Sequence, residues 1–261
     1  MAPLATCLLL VISACTAATA PTATATPLPT LGATAATRTA APTPPASPSG
    51  SATAAATPGS APIGGAASAL EDVASYRFAI EMQGADLLGS VPVPGGDFST
   101  TGTVVLRPER ALDFTIETEL GVPLRYVLVG DEAWLAVGGG PLRDVPGGGA
   151  AAESVFERLR PENLLGSLAG QLDGLTVIGQ ETRNGVLTNH YRADADRAAR
   201  IAQELGGQEF TAEAWLAADG DYLVAFAMSG TIERDGVPEP FGMKLDISGI
   251  DDPANRIERP S

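Results

Sequence analysis

Aromatic residues are confined to one part of this chain: all thirteen lie between Tyr76 and Phe241, and the 53 residues from 16 to 68 contain none. That tract carries nine prolines and a single charge, Arg38, among Thr, Ala, Ser and Gly. Such a segment buries too little apolar surface to offset its conformational entropy, so residues 16–68 read as a disordered linker. A core can form only from about residue 69 onward, and roughly 190 residues suffice for one domain with a substantial interior. As a flexible coil the linker spans about 40 Å, and in extended polyproline form about 160 Å. It reads as a tether, and its Thr and Ser beside Pro also permit O-glycosylation.

Ahead of the tether stands the run Leu8-Leu9-Leu10-Val11-Ile12-Ser13-Ala14-Cys15. It resembles a bacterial lipoprotein signal peptide: small residues precede a cysteine whose thiol can take a diacylglyceryl group. On this reading residues 1–14 are removed and Cys15 is the lipidated first residue of residues 15–68. Acyl chains such as palmitate then hold the protein on the extracytoplasmic face of a bacterial membrane, within the cell envelope. Two chains give stable attachment where one is marginal. Cys7 falls in the removed segment, which leaves Cys15 without a disulfide partner. An ordinary secretion signal cleaved elsewhere is the alternative, and Met1-Ala2-Pro3 lacks the positive charge usual in either kind of leader. The run from Leu4 to Ile12 is too short to cross a bilayer, which takes about 20 residues.

The domain expected over 69–261 holds every one of the 31 acidic residues and all but one of the 16 basic ones, in a chain of net charge −15. With no basic patch to reverse that sign, nucleic acid is excluded as a partner.

Within the domain the apolar period is mainly two. Tyr76, Phe78, Ile80 and Met82 alternate with polar or small residues, as do Leu112, Phe114 and Ile116, which predicts strands with one buried face. Arg125–Val129 and Ala133–Val137 flank Gly130-Asp131 as a hairpin, and Asn184-Gly185, Asp219-Gly220 and Asp235-Gly236 are further turn dipeptides. Helices are predicted around Ala66–Val73, over Val155, Phe156 and Leu159, over Leu164, Leu165, Leu168 and Leu172 behind Pro161, and over Ala198–Leu205. The last is capped by Asp194 or Asp196 and closed by Gly206-Gly207. The glycine triplets 138–140 and 147–149 read as loops. The order is a helix, about five strands, a helical pair, a hairpin, a helix and three long strands. This is an α+β fold with an antiparallel sheet and helices gathered on one face.

Residues suited to catalysis are scarce. His190, the only histidine, sits in a strand at Thr188-Asn189-His190-Tyr191-Arg192 and reads as a packing or surface residue. No second histidine or usable cysteine completes a zinc site, and no nucleophile elbow or phosphate loop occurs. The aspartates 194 and 196, 219 and 221, and 251 and 252 lack calcium-loop spacing and fall at turns or helix starts. No cofactor, metal or enzymatic activity is expected. The run Tyr222–Met228, by contrast, is apolar on both faces of a strand, so a second covering layer is required, either helices or an apolar ligand. Trp134 and Trp215 stand on the opposite phase from the main apolar sets of their strands. Phe114, Trp134, Leu164, Leu168, Trp215 and Phe226 are the pattern-based candidates for lining an apolar cavity.

A helix leading into Ser75-Tyr76-Arg77-Phe78, then Gly102-Thr103-Val104-Val105, Tyr126–Trp134, Ala214-Trp215-Leu216 and the long final strands, is an order of elements that resembles the LppX/LprG-type lipoproteins of the LolA/LolB-like group. The likeness covers residues 66–261, and Cys15 matches the acylated cysteine of that group. It implies a strongly curved, incompletely closed antiparallel β-barrel with helices on its concave face, enclosing a cavity for acyl chains. It also implies a membrane-anchored, non-catalytic carrier of a lipid or lipidated molecule. The alternative is a surface-tethered interaction or sensing module with a packed core, whose acidic surface meets an envelope protein.

Overall fold

Short turns between amphipathic strands place each strand beside the next in sequence, and the computed structural model shows how far that meander runs. It describes residues 63–84, 97–119, 121–166, 174–219, 222–234 and 236–261. The leader, Cys15, nearly all of the tether and Leu168 lie outside the described residues. Helix α1 (Ile63–Ser68) and a 3-10 turn (Ala69–Asp72) lead into β1 (Ser75–Gln83). Next come β2 (Phe98–Val105), β3 (Ala111–Thr118), β4 (Leu124–Val129), β5 (Glu132–Val137) and the two-residue β6 (Arg143–Asp144). Helices α2 (Gly149–Leu159) and α3 (Pro161–Gly166) precede β7 (Thr176–Arg183) and β8 (Val186–Arg192). Helix α4 (Ala195–Leu205) and the long strands β9 (Gly207–Ala217), β10 (Leu223–Arg234) and β11 (Val237–Ser248) complete the order.

All eleven strands among the described residues belong to one antiparallel sheet, ordered β6-β5-β4-β3-β2-β1-β11-β10-β9-β8-β7. The chain starts in the middle at β1, steps outward to one edge at β6, crosses through α2 and α3 to the far edge at β7, and steps back until β11 pairs with β1. At about 4.8 Å per strand the sheet is roughly 48 Å wide, and its edges β6 and β7 do not meet.

Local chemistry explains the joints. Asn184 and Gly185 both take positive φ (51° and 82°) between the paired Arg183 and Val186, which is the two-residue turn their side chains favour. Asp194 caps α4 by accepting the Arg197 amide at 2.8 Å, and Gly206 ends that helix in the left-handed conformation. Pro161 opens α3, where its missing N–H costs nothing.

Three sequence expectations need correction. The first described helix, α1, starts six residues before 69, with Ile63, Ala66 and Ala67 buried. The second glycine triplet is a loop only through Gly148, since Gly149 is the first residue of α2. A Cβ there would stand 2.6 Å from the Asp131 carbonyl oxygen, so the close approach of α2 to the β4–β5 turn requires glycine. The strand count rises by one through β6, too short to carry a period.

Burial divides the sheet into two faces. Tyr76, Phe78, Ile80, Met82, Leu112, Phe114, Phe226, Met243 and Leu245 join one large cluster with side chains from the four described helices, including Ile63, Phe156, Leu164 and Ile201. The outer face carries cross-strand ion pairs such as Glu81–Lys244 (3.0 Å) and Asp113–Arg125 (2.7 Å). Two small apolar clusters interrupt that face, and neither contains a helix residue.

Candidate functional site

The broadest apolar environment lies between the sheet and the helices. Phe156 of α2 reaches across to Phe78 of β1 (ring centroids 6.0 Å) and Phe114 of β3 (5.8 Å), while Tyr126 of β4 stacks on Phe114 at 5.1 Å. Gly102 of β2 sits between β1 and β3, paired with Phe78 and Phe114. A Cβ at Gly102 would meet the side chains of Phe114 and Phe78 at 2.6 and 2.7 Å, so a glycine is needed beneath the rings. Leu164 of α3 and Phe226 of β10 join the same layer.

One polar group interrupts this layer. Thr100, one turn of the pleat from Gly102, is paired with Ile80 on one side and Ile116 on the other and is only 1% exposed. Its hydroxyl oxygen makes no hydrogen bond. A buried hydroxyl without a partner costs about 1–3 kcal/mol, so its position amid isoleucines calls for a polar group to meet it. Sequence periodicity places Thr100 on the buried side of β2 but carries no sign that its hydroxyl is unpaired. Phe156 was visible as part of a helical apolar face; its meeting with Phe78 and Phe114 is a long-range contact that the pattern does not encode.

The two tryptophans face the other way. Trp215 of β9 is buried with Ala217, Val224 and Ala225, under Val186 and Tyr222, which answers what covers the second face of the Tyr222–Met228 run. The cover is neither helix nor cavity: one large indole lies over small side chains. His190 stacks on Trp215 (4.4 Å, 22°), Arg183 lies 4.2 Å over its ring, and its Nε1–H donates to Glu181. The imidazole stands between Glu181 (3.3 Å) and Glu213 (3.5 Å), a packing role with polar neighbours. Trp134 of β5 packs at the other end of the outer face, against Ala111, Val127 and Val129. Phe114, Leu164 and Phe226 therefore share one environment, and Trp134 and Trp215 belong to two others.

An ionic network ties α2 down at the rim. Arg110 pairs with Glu153 and with Glu157 (3.3 Å), and Arg160 pairs with Glu157 (3.0 Å) and with Glu71 beside α1. Burial, and then the hydrogen bond it shares with the neighbouring Glu157 carboxyl, raises the Glu153 pKa above the usual carboxylate range. Burial also pushes Glu157 upward, but hydrogen bonds from Arg160 and Glu153 and the Arg160 charge outweigh it and hold Glu157 below that range. Beside this network an open cleft of about 590 Å³ is lined by Arg110, Leu128, Asp131, Ala150 and Glu153.

Of the aspartates noted in the sequence, Asp194 caps α4 and Asp251 and Asp252 accept backbone amides. Asp251 accepts from the amides of Ala74 (2.6 Å) and Ser75 (3.2 Å), and Asp252 from that of Ala254 (2.8 Å). Among the described residues no three His, Cys, Asp or Glu side chains converge as a metal site, and no helix is long and apolar enough to cross a membrane. No protein-family model matches the chain, and no curated protein matches it.

Proposed function

We propose that the protein is a non-catalytic cell-envelope lipoprotein that holds a lipid or lipidated molecule between its sheet and its helices, in the manner of the LppX/LprG-type carriers. The observation that carries the reading is the helix-side layer: apolar side chains from strand after strand, with one unpaired hydroxyl, Thr100, set among them. Acyl chains match the apolar surface, and an ester or hydroxyl of the same molecule matches Thr100. In this proposal the open sheet is strongly curved and the helices lie over its concave side. Among them α2 is the element that yields, since its hold on the rim includes ion pairs partly open to solvent. Cys15 carries the acyl anchor, residues 16–68 form the tether, and the membrane supplies the ligand.

The test is displacement of a fluorescent phospholipid from the purified chain. The chain binds the probe saturably, and Thr100→Val, which keeps the shape and removes the hydroxyl, weakens binding by roughly 1 kcal/mol, about fivefold. Absence of saturable binding contradicts the proposal. One observation favours the alternative, an interaction or sensing module with a packed core: Phe78, Phe114 and Phe156 fill the middle of the layer ring against ring. Under that reading the same titration shows no binding.

A further inference from the structure

Beyond β11 the chain does not leave the domain but crosses the outer face of the sheet. Asn255 is buried (6% exposed), its side-chain amide donating to the Ser75 hydroxyl (3.0 Å) and to the Gly249 carbonyl (2.6 Å). Two residues on, Ile257 packs into the outer cluster of Ala111, Val127 and Val129, with Val105, Trp134 and Leu142 around it. Two further on, Arg259 forks between Glu132 at the start of β5 (2.7 Å) and Glu109 in the β2–β3 turn (3.0 Å). Contacts at every second residue are what an extended segment makes when one of its sides faces a surface. No backbone hydrogen bond among the described residues holds 257–261. The segment is thus held by side chains alone, over a groove with an apolar floor and two carboxylates at its rim. A cleft of about 520 Å³ runs beside it, lined by Ser75, Val105, Ala111, Val129 and the segment itself.

A strand ladder would fix this segment as part of the sheet, whereas an apolar plug and an exposed ion pair are exchangeable. We propose that the outer face of β2 to β5 is a docking groove for an extended partner segment of the pattern apolar–any–arginine, and that residues 255–259 occupy it in cis. The seated segment displays the chemistry of the partner: an aliphatic side chain for the Ala111–Val127–Val129 floor and a guanidinium for Glu109 and Glu132. The acidic excess of the chain favours such a basic segment by long-range attraction as well. The partner is a protein that presents this segment, and binding it frees 255–261. The groove is on the opposite face from the lipid layer, so the inference stands apart from the lipid proposal.

The experiment uses the full chain and a fluorescein-labelled peptide of sequence PANRIERPS, the seated segment itself. The combined substitutions Ile257→Asp and Arg259→Glu empty the groove, and the peptide then binds at least about tenfold more tightly than to the unaltered chain, since burying one aliphatic side chain exceeds that difference. Arg259→Ala, at an exposed position that leaves Ile257 seated, gives a smaller gain of about two- to fivefold. Peptides with Asp for the isoleucine or Glu for the second arginine do not compete. Equal affinity for the three proteins, or no binding to any, overturns the inference. If the double variant fails to fold, absence of any gain with Arg259→Ala overturns it.

Discussion

The two faces of the sheet bury apolar side chains by different means. On the helix side the burial is continuous: each strand from β1 to β4 and from β9 to β11 contributes to one cluster, and side chains from the four described helices join it. On the outer face it is local, with one cluster around Trp215 and another near Trp134, separated by ion pairs. A continuous layer shares the cost of any one lost side chain poorly, because rigid neighbours on both sides cannot collapse into the gap. A local cluster at a solvated surface relaxes more readily. The helix-side face therefore sets global stability, and the outer face is where segments exchange.

The sharpest way to break this comparison is a pair of substitutions. Phe156→Ala removes the ring that joins α2 to β1 and β3, and is expected to cost about 4 kcal/mol in urea unfolding. Trp215→Phe keeps an aromatic ring on the outer face and loses the hydrogen bond to Glu181, with an expected cost of about 1 kcal/mol. Equal costs for the two would erase the distinction between the faces.

A smaller effect sharpens the account of the rim. Glu153 has its pKa raised in the folded state, so its contribution to stability is full at pH values below its unfolded value and is lost as pH rises through the folded one. Glu157, held low, contributes above its unfolded value and loses that contribution as pH falls through the folded one. From pH 4 to 7, then, Glu153→Gln gains melting temperature relative to the unaltered chain, and Glu157→Gln loses it. Thermal melts across that range check the opposite signs. Parallel changes in the two variants would mean that the carboxyls do not divide their proton in this way.

Much of this fold was readable from the chain. Period-two runs at Tyr76–Met82 and Leu112–Ile116, the Asn184-Gly185 turn and the Asp194 cap are local signals, and the structure has an element at each. Of the glycine triplet at 147–149 only Gly149 departs from a loop, because it answers to a distant carbonyl, that of Asp131, rather than to its neighbours in sequence. The candidate site was legible only in part for the same reason. Phe114 by strand alternation, Leu164 by its helical face and Phe226 by its two-faced apolar run all lead to one layer. Alternation also set Trp134 and Trp215 out of phase, and both lie in the separate outer-face clusters, but it does not say which face of a sheet holds the helices. Thr100 and the seat of Ile257 depend on contacts across the sheet that no local pattern carries.

The central claim is that the layer between sheet and helices holds a lipid. Native mass spectrometry of the full chain purified from bacterial membranes tests it most directly, because a non-covalent ligand adds a mass that collisional activation removes while a covalent acyl group stays. The account predicts a releasable lipid on most molecules, reduced by Thr100→Val. A chain that flies at the mass of the polypeptide with any covalent modification alone, before any activation, would contradict it.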